Sequence, residues 1–530
     1  MIKKVSIPLV LCVLILALSC SRPVLVPSPR ADNASGGSGE EPDIQWLAED
    51  DEASGGEELP GSKKSHDAQA ADGKKSDIKD GKKADDSGED NESRWEDAGV
   101  AGRTVRTRDV DFARAFEEFP SPRDPVAAPA PLPSASSLRY PPLGARKRPV
   151  RIMVRRNVKE ATIHAPAASD VRAPGVRTTF RGRMQIEADL IGQDAVIATV
   201  NREKKELRLP CTLFVSSGSH PLDVNGSAYR GAMVIVSESR GAFSFINILP
   251  VEEYLRGVVP LEIGNLPESD IEAVKAQAIA ARTYSYGKMA ANENNPFDML
   301  STVSDQVYGG VTAEAATADA AILLTKDLII AYNDDMVRAY YHSTCGGSTA
   351  NIEDVWGGAP VPYLRTQSDM NAQGKPFCSG AGQSFAWTET WAENQLSGIL
   401  RRYSSEGGLD PPFKGGIKKI DIRERFECGR VKTLAITSTS GQEHTAGGDK
   451  LRFVLRRYTQ TRQIQILRSS NIRSVEIKNN EIKITGNGHG HGIGMCQVGA
   501  IWRARSGQNF EQILRTYYSG ALIRTAKPDR

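Results

Sequence analysis

The spacing of hydrophobic and polar positions changes several times along this chain. Residues 5–18 ("VSIPLVLCVLILAL") are almost continuously apolar, and from there to about residue 148 apolar residues are sparse. Residues 149–250 then carry short β-branched runs: "VRIMV", "ATIHA", "MQIEADLIG", "AVIATV", "ELRLP", "CTLFVSS", "AMVIVSE" and "SFINILP". Gly, Asn, Asp and Ser separate them, so they predict strands. The period shifts in "LPESDIEAVKAQAIAARTYSYGKMAANEN", which predicts the strongest helix of the chain. Pro267, Glu268 and Asp270 suit its start, alanine fills its interior, and Ile271, Val274, Ala278 and Ala281 form a stripe at helical spacing.

Weaker patterns follow. "AEAATADAAILLTK" predicts a second helix, and "LIIAYNDDMVRAYYHSTCGG" strands turning at "NDD". "AWTETWAENQLSGILRRY" predicts a helix, whereas "KKIDIRERFECGRVKTLAITST" and "LRFVLRRY" predict strands. "SVEIKNNEIKITGNGHGHG" predicts a hairpin about Asn479-Asn480, and "AIWRARSGQNFEQILRTYYSG" a helix, a turn and a helix. The fold class expected is α+β.

The first apolar run follows Lys3 and Lys4 and is about a dozen residues long, short of the roughly 20 a membrane span requires. It reads as a secretory signal over residues 1–20. "LALSC" resembles the lipobox of bacterial lipoproteins, with Ala17 where leucine is usual, so lipidation of Cys20 is expected. Ser21, in place of an aspartate, points to an outer membrane. Residues 21–148 mix Gly, Ser, acid and base blocks and then proline, with too little apolar surface to offset the entropy of folding. They predict a disordered acidic and proline-rich tether, whose coil would reach about 60 Å.

Net charge is +2, which suggests no nucleic-acid partner. The basic entry "GARKRPVRIMVRRNVKE" suits either an anionic polymer such as cell wall or plain solvation. Beyond Cys12 and Cys20 remain Cys211, Cys345, Cys378, Cys428 and Cys496, which excludes a disulfide-dense scaffold. The chain has only seven histidines, and two of them, His489 and His491, stand in "GNGHGHGIGMCQVGA". In an extended segment both would point to one face.

"VEEYLRGVVPLEIGNLPESDIEAVKAQAIAARTYSYG", "SDQVYGG", "YHSTCGGSTANIEDVWGG" and "GNGHGHGIGMCQVGAIWRARSGQNFEQILRTYYSGALI" resemble, in order, the blocks of the SpoIID/LytB family (stage II sporulation protein D). The resemblance implies a peptidoglycan lytic transglycosylase whose catalytic acid is the glutamate of "VVPLEIG", Glu262. One carboxyl suffices for that reaction, unlike the paired carboxylates of ordinary glycosidases. Val258, Val259 and Leu261 around Glu262 would raise its pKa and keep it protonated for the first step. Glu252 and Glu253 read as supports in an "EEYL" strand–turn signature.

The resemblance also gathers candidate substrate-binding residues. Lys275 and Arg282 share a helix face, either lining a sugar cleft or as surface charges; Tyr284 lies on another. Gln306 and Tyr308 would offer an amide and an aromatic face. His342, Ser343, His489, His491 and Gln497 would line the cleft, with glycines letting backbone approach the polysaccharide. No metal or other cofactor is expected. Zinc on the histidines, with Cys345, Cys378 or Cys496 as further ligands, is the alternative, but no close CxxC or HxxxH spacing supports it. A Cys345–Cys378 disulfide or free buried thiols suits an exported chain better.

The resulting layout has a β-rich part over 149–247, a helical catalytic signature region over 248–378, a variable insert over 379–450 and a C-terminal strand–helix closing unit over 451–530. It predicts a cell-envelope lipoprotein whose partners are glycan strands and the membrane. Because the LytB side of the family enhances an amidase, a non-catalytic partner of a cell-wall amidase is the second expectation.

Overall fold

The computed structural model describes residues 142–145, 148–188, 195–215, 220–239, 241–458 and 464–528. The expected signal segment, Cys20 and most of the expected tether lie outside the described residues. Within the range expected for the tether, one short segment is described and is ordered as a strand. Pro142–Ala145 is a strand that pairs in parallel with the C-terminal strand Leu522–Pro528. A proline fits the start of an edge strand, where no N–H is required.

The β-rich part forms one eleven-stranded sheet. Its main path runs Met299–Leu300, Val150–Val158, Ala242–Leu249, Ala232–Ser239, Cys211–Val215, Glu160–Ala173, Val176–Ala188, Ala195–Val200 and Glu203–Arg208. Each of the eight predicted runs contributes a strand. Alternation sets the inward face: in Glu160–Ala173, Ala161, Ile163 and Ala165 are buried while their neighbours are not.

The helices follow. Helix α1 is Val251–Arg256, α2 Val259–Ile263, α3 Ile271–Ala291, α4 Ala316–Leu324, α5 Ile352–Trp356, α6 Glu393–Tyr403, α7 Leu451–Val454, α8 Gln497–Arg505 and α9 Phe510–Tyr517. The "EEYL" stretch is therefore helix, not strand and turn. Glu252 and Glu253 in its first turn and Arg256 in its last complement the helix dipole. Helix α3 is the central post. Ala273, Ala276, Ala278, Ala280 and Ala281 expose nothing, and their small side chains let α4, α8, α9 and the strand Leu328–Tyr332 pack closely. Thr283 Oγ1 ties post to strand by accepting the Ile330 N–H at 3.0 Å.

A second hydrophobic core gathers Trp387, Trp391, Leu396, Leu400, Leu434, Ile436, Leu451 and Ile484. It runs past residue 450, so the expected insert and the start of the expected closing unit fold together. "AWTETWAENQLSGILRRY" is helical only in its second half, since Ala386–Ala392 is a strand that buries Trp387 and Trp391. "LRFVLRRY" is the helical turn α7 followed by the short strand Arg457–Tyr458. The predicted hairpin is present, with Asn479 and Asn480 at φ 52° and 61° as a primed turn demands. Among the described residues no helix is long and apolar enough to cross a membrane.

Candidate active site

Glu262 stands on α2, a single turn seated in the core by Val258, Val259 and Ile263, none of which is exposed. Pro260 opens this turn and Gly264, at φ 95°, closes it. The half-buried carboxyl is held from two sides. Its Oε1 accepts the Val307 N–H at 2.7 Å, and its Oε2 lies 3.4 Å from Gln497 Nε2. Gln497 is the first residue of α8 and also reaches Gln277 Oε1 on α3, at 3.5 Å.

The loop carrying Val307 is fixed by its neighbour. Gln306 is fully buried; its Oε1 accepts from Tyr254 Oη (3.2 Å) and Ser285 Oγ (3.0 Å), and its Nε2 donates to Tyr341 Oη (2.9 Å). Gln306 is thus a buried hub behind Glu262 rather than an open amide. Tyr254 and Tyr341 stay neutral phenols, because burial raises both and the nearby Glu262 adds to it. Asp305 is already engaged, accepting from Tyr284 Oη at 2.9 Å and from the Leu300 N–H at 2.8 Å.

Other expected cleft residues are engaged with protein partners. Arg282 has no exposed surface and forms a two-pronged ion pair with Glu252 (2.7 and 2.8 Å), while also donating to Leu328 O and Ile322 O. It fastens α1 and α4 to α3. Lys275 pairs with Glu272 at 2.7 Å. Tyr308 is a core residue whose hydroxyl donates to Asn247 Oδ1 at 2.9 Å and whose ring packs on Tyr254 and Tyr229. A one-sided helix face and a "QVY" triplet cannot reveal that the surroundings close over them.

The histidine loop is not extended. Gly488, Gly490, Gly492 and Gly494 all take positive φ, so the His489 and His491 side chains do not share one face of a strand. His489 pairs through its backbone with Thr344. His491 sits among the rings of Trp356 (5.0 Å), His342 (5.5 Å) and Tyr340 (6.3 Å), and its Nδ1 accepts the Ile493 N–H at 3.0 Å. His342 Nδ1 donates to Ile493 O at 3.1 Å, and Ser343 accepts the Val498 N–H through its carbonyl. Burial lowers both imidazoles, His491 to about 4 and His342 well below its ordinary range, so they are neutral at pH 7. The glycines admit protein, not only sugar: a side chain at Gly492 would collide with the Arg430 guanidinium. Arg430, which sequence reasoning missed, comes from the second core, is buried, and donates to Gly490 O at 3.2 Å.

The histidines do not gather as metal ligands. Among the described residues the group whose ligand atoms converge is Cys345, Asp369, Cys378 and Cys496, all buried. Cys345 and Cys378 are free thiols with sulfurs 3.5 Å apart, not a disulfide.

Residues 239–332, which include Glu262, Arg282 and Gln306, match the model of the Stage II sporulation protein (SpoIID) family. An uncharacterized protein of Brachyspira hyodysenteriae is 30% identical over 372 residues, covering 69% of this chain and 92% of that relative. The chain belongs to the SpoIID/LytB family. Stage II sporulation protein D of Bacillus subtilis is 27% identical to this SpoIID/LytB protein, over 58% of the chain and 83% of the relative. A Bacillus subtilis protein named Amidase enhancer is 28% identical over 51% of this chain but only 40% of its own length. Residues 372–494 separately match a Domain of unknown function (DUF8618), which coincides with the second core and reaches into the histidine loop.

Proposed function

We propose that this SpoIID/LytB protein is a cell-wall lytic transglycosylase that cleaves the MurNAc–GlcNAc bond with Glu262 as acid and then base. The observation that supports this best is the two-sided hold on one carboxyl: Val307 N–H on Oε1 and the Gln497 amide beside Oε2. A protonated Oε2 gives its proton to the glycosidic oxygen as the C1–O bond breaks. The carboxylate left behind is met by two N–H groups already in place. It then takes the proton of the MurNAc C6 hydroxyl, whose oxygen closes onto C1 as the 1,6-anhydro end. No water is consumed, so one acid–base group serves both steps.

Gln497, His489, His491 and Ser343 belong in this reading to the wall of the glycan cleft, with the buried His342 behind His491. The chain would be held in the envelope through a lipid on Cys20. The test is mass spectrometry of muropeptides after digestion of glycan strands by the purified protein. Anhydro-ended products are expected, and reducing ends or no products would sink the reading.

A second reading draws on the relative named Amidase enhancer. A non-catalytic chain of that kind would stimulate a cell-wall amidase without releasing anhydro ends, so the same digest with added amidase separates the two.

A further inference from the structure

The convergence of three sulfurs and one carboxylate behind the candidate active site is used by nothing described so far. Cys345 lies just after the strand Tyr341–His342, Asp369 in the following loop, Cys378 in the short 3-10 turn Phe377–Gly380, and Cys496 immediately before α8. Their ligand atoms all lie within 4.8 Å of one another. Cys345 Sγ is 3.5 Å from Cys378 Sγ and 3.2 Å from Asp369 Oδ2. A tetrahedral zinc ion with Zn–S of about 2.3 Å and Zn–O of about 2.0 Å separates its sulfurs by about 3.8 Å and sulfur from oxygen by about 3.5 Å. The side chains already stand close to that spacing.

We infer that Cys345, Cys378, Cys496 and Asp369 form a structural zinc site. The surroundings are built for such a centre. Asp369 spends its Oδ1 on Arg503 (2.8 and 3.0 Å) and on the Tyr517 hydroxyl (3.0 Å), which turns Oδ2 toward the thiols. That is the outer-shell pattern by which a ligating carboxylate is oriented. Backbone N–H groups point at the sulfurs: Gly347 at Cys345 (3.3 Å), and Cys345 (3.2 Å) and Gly499 (3.3 Å) at Cys496. Gly346 and Gly347 take φ 80° and 112°, which lets the chain turn tightly after Cys345. Gly499 is required because any side chain there would strike Asp369 and Tyr517.

Charge and valence favour a metal over the alternatives. A disulfide would use two sulfurs and leave the third thiol beside a buried carboxylate. Three thiolates and a carboxylate instead carry four negative charges, of which one dication and the Arg503 guanidinium offset three. Zinc binding releases the remaining thiol protons to solvent and needs no oxidant or reductant. All-sulfur-and-oxygen ligation without an open position suits a structural ion.

The consequence is positional. Zinc would staple segments more than a hundred residues apart, and Cys496 is followed directly by Gln497, which touches Glu262. Elemental analysis of the full chain, purified without chelator under anaerobic conditions, should find about one zinc per molecule. Replacement by cobalt(II) should give an intense thiolate-to-cobalt band and tetrahedral d–d bands. Cys378→Ser should bind zinc at least tenfold more weakly, whereas Cys211→Ser, which alters a distant buried thiol, should retain it. The wild-type measurements decide even where a variant fails to fold. Less than a tenth of an equivalent of zinc after reconstitution, iron in its place, or a Cys345–Cys378 disulfide in peptide maps overturns the inference.

Discussion

Gln497 Nε2 lies 3.4 Å from Glu262 Oε2, joining residues 235 positions apart in the chain. The contact links the turn bearing the carboxyl to the histidine block, so neither block makes a complete site alone. A donor at that distance favours the carboxylate, the state that the proposed mechanism requires between its two proton transfers. Gln497→Ala should lower the rate of anhydro-muropeptide release about tenfold, the low end of what a hydrogen bond to a charged group contributes. Gln497→Glu should move the alkaline limb of the pH–rate profile upward, because a second negative charge opposes ionisation of the acid. A profile unmoved by Gln497→Glu would mean that the two side chains do not communicate.

The Arg282–Glu252 pair predicts a different phenotype. Arg282 has no exposed surface, whereas Glu252 keeps 27% of its side chain exposed. Glu252→Ala strands a buried guanidinium, which costs about 3–5 kcal/mol where one partner of a buried pair is removed. Thermal melting should show a large fall in Tm, and activity measured well below the new Tm should change little. Selective loss of activity with unchanged Tm would instead assign Arg282 to the cleft.

How far the sequence carries depends on the range of the cause. Helix α3 is legible because its alanines, its stripe and its acidic start are local signals that agree. Trp387 and Trp391 are not, since a spacing of four satisfies both a helix and alternate positions of a strand. Glu262 is legible mainly through the family block around it. Asp369 and Arg430 have no local mark at all. Their roles arise only when distant segments meet, as Arg430 meets Gly490 from 60 positions away. Gln306 and Tyr308 carry residue types that suit a sugar cleft and a buried network equally.

The histidine pair makes stability depend on pH. Burial holds His491 at about 4, against an ordinary value near 6.5, with Arg430, Arg452 and Asp449 facing it, and His342 is lowered too. Below about pH 6.5 the unfolded chain takes up protons that the folded chain refuses, so stability falls as pH drops from there toward 4. Protonation would also cost His491 Nδ1 its bond from the Ile493 N–H. Chemical unfolding across that window should show a shallower loss in His491→Leu than in the wild type. Equal slopes would mean that the imidazole is reached by solvent in the folded state.

Glu262→Gln separates the chemistry of this carboxyl from its place in the fold. The amide keeps the shape, and its Oε1 still accepts the Val307 N–H. Its NH2 group then faces the Gln497 amide nitrogen, a donor against a donor. Turning the Gln497 amide relieves this, and Gln277, whose buried Nε2 has no partner, can turn in concert to meet the displaced oxygen. Two amide rotations therefore absorb the change, and Tm should shift by only a few degrees, as for a substitution of less than about 1 kcal/mol. Catalysis has no such escape, because an amide neither gives nor recovers a proton under these conditions. Release of anhydro-muropeptides should fall at least 10²–10⁴-fold, the usual worth of general acid–base catalysis, while retention on glycan strands in a pull-down persists. A Glu262→Gln protein that releases anhydro ends at the wild-type rate removes this residue from the chemistry. One that binds glycan and stimulates an amidase as well as the wild type, when neither cuts, moves the protein to the enhancer branch of its family.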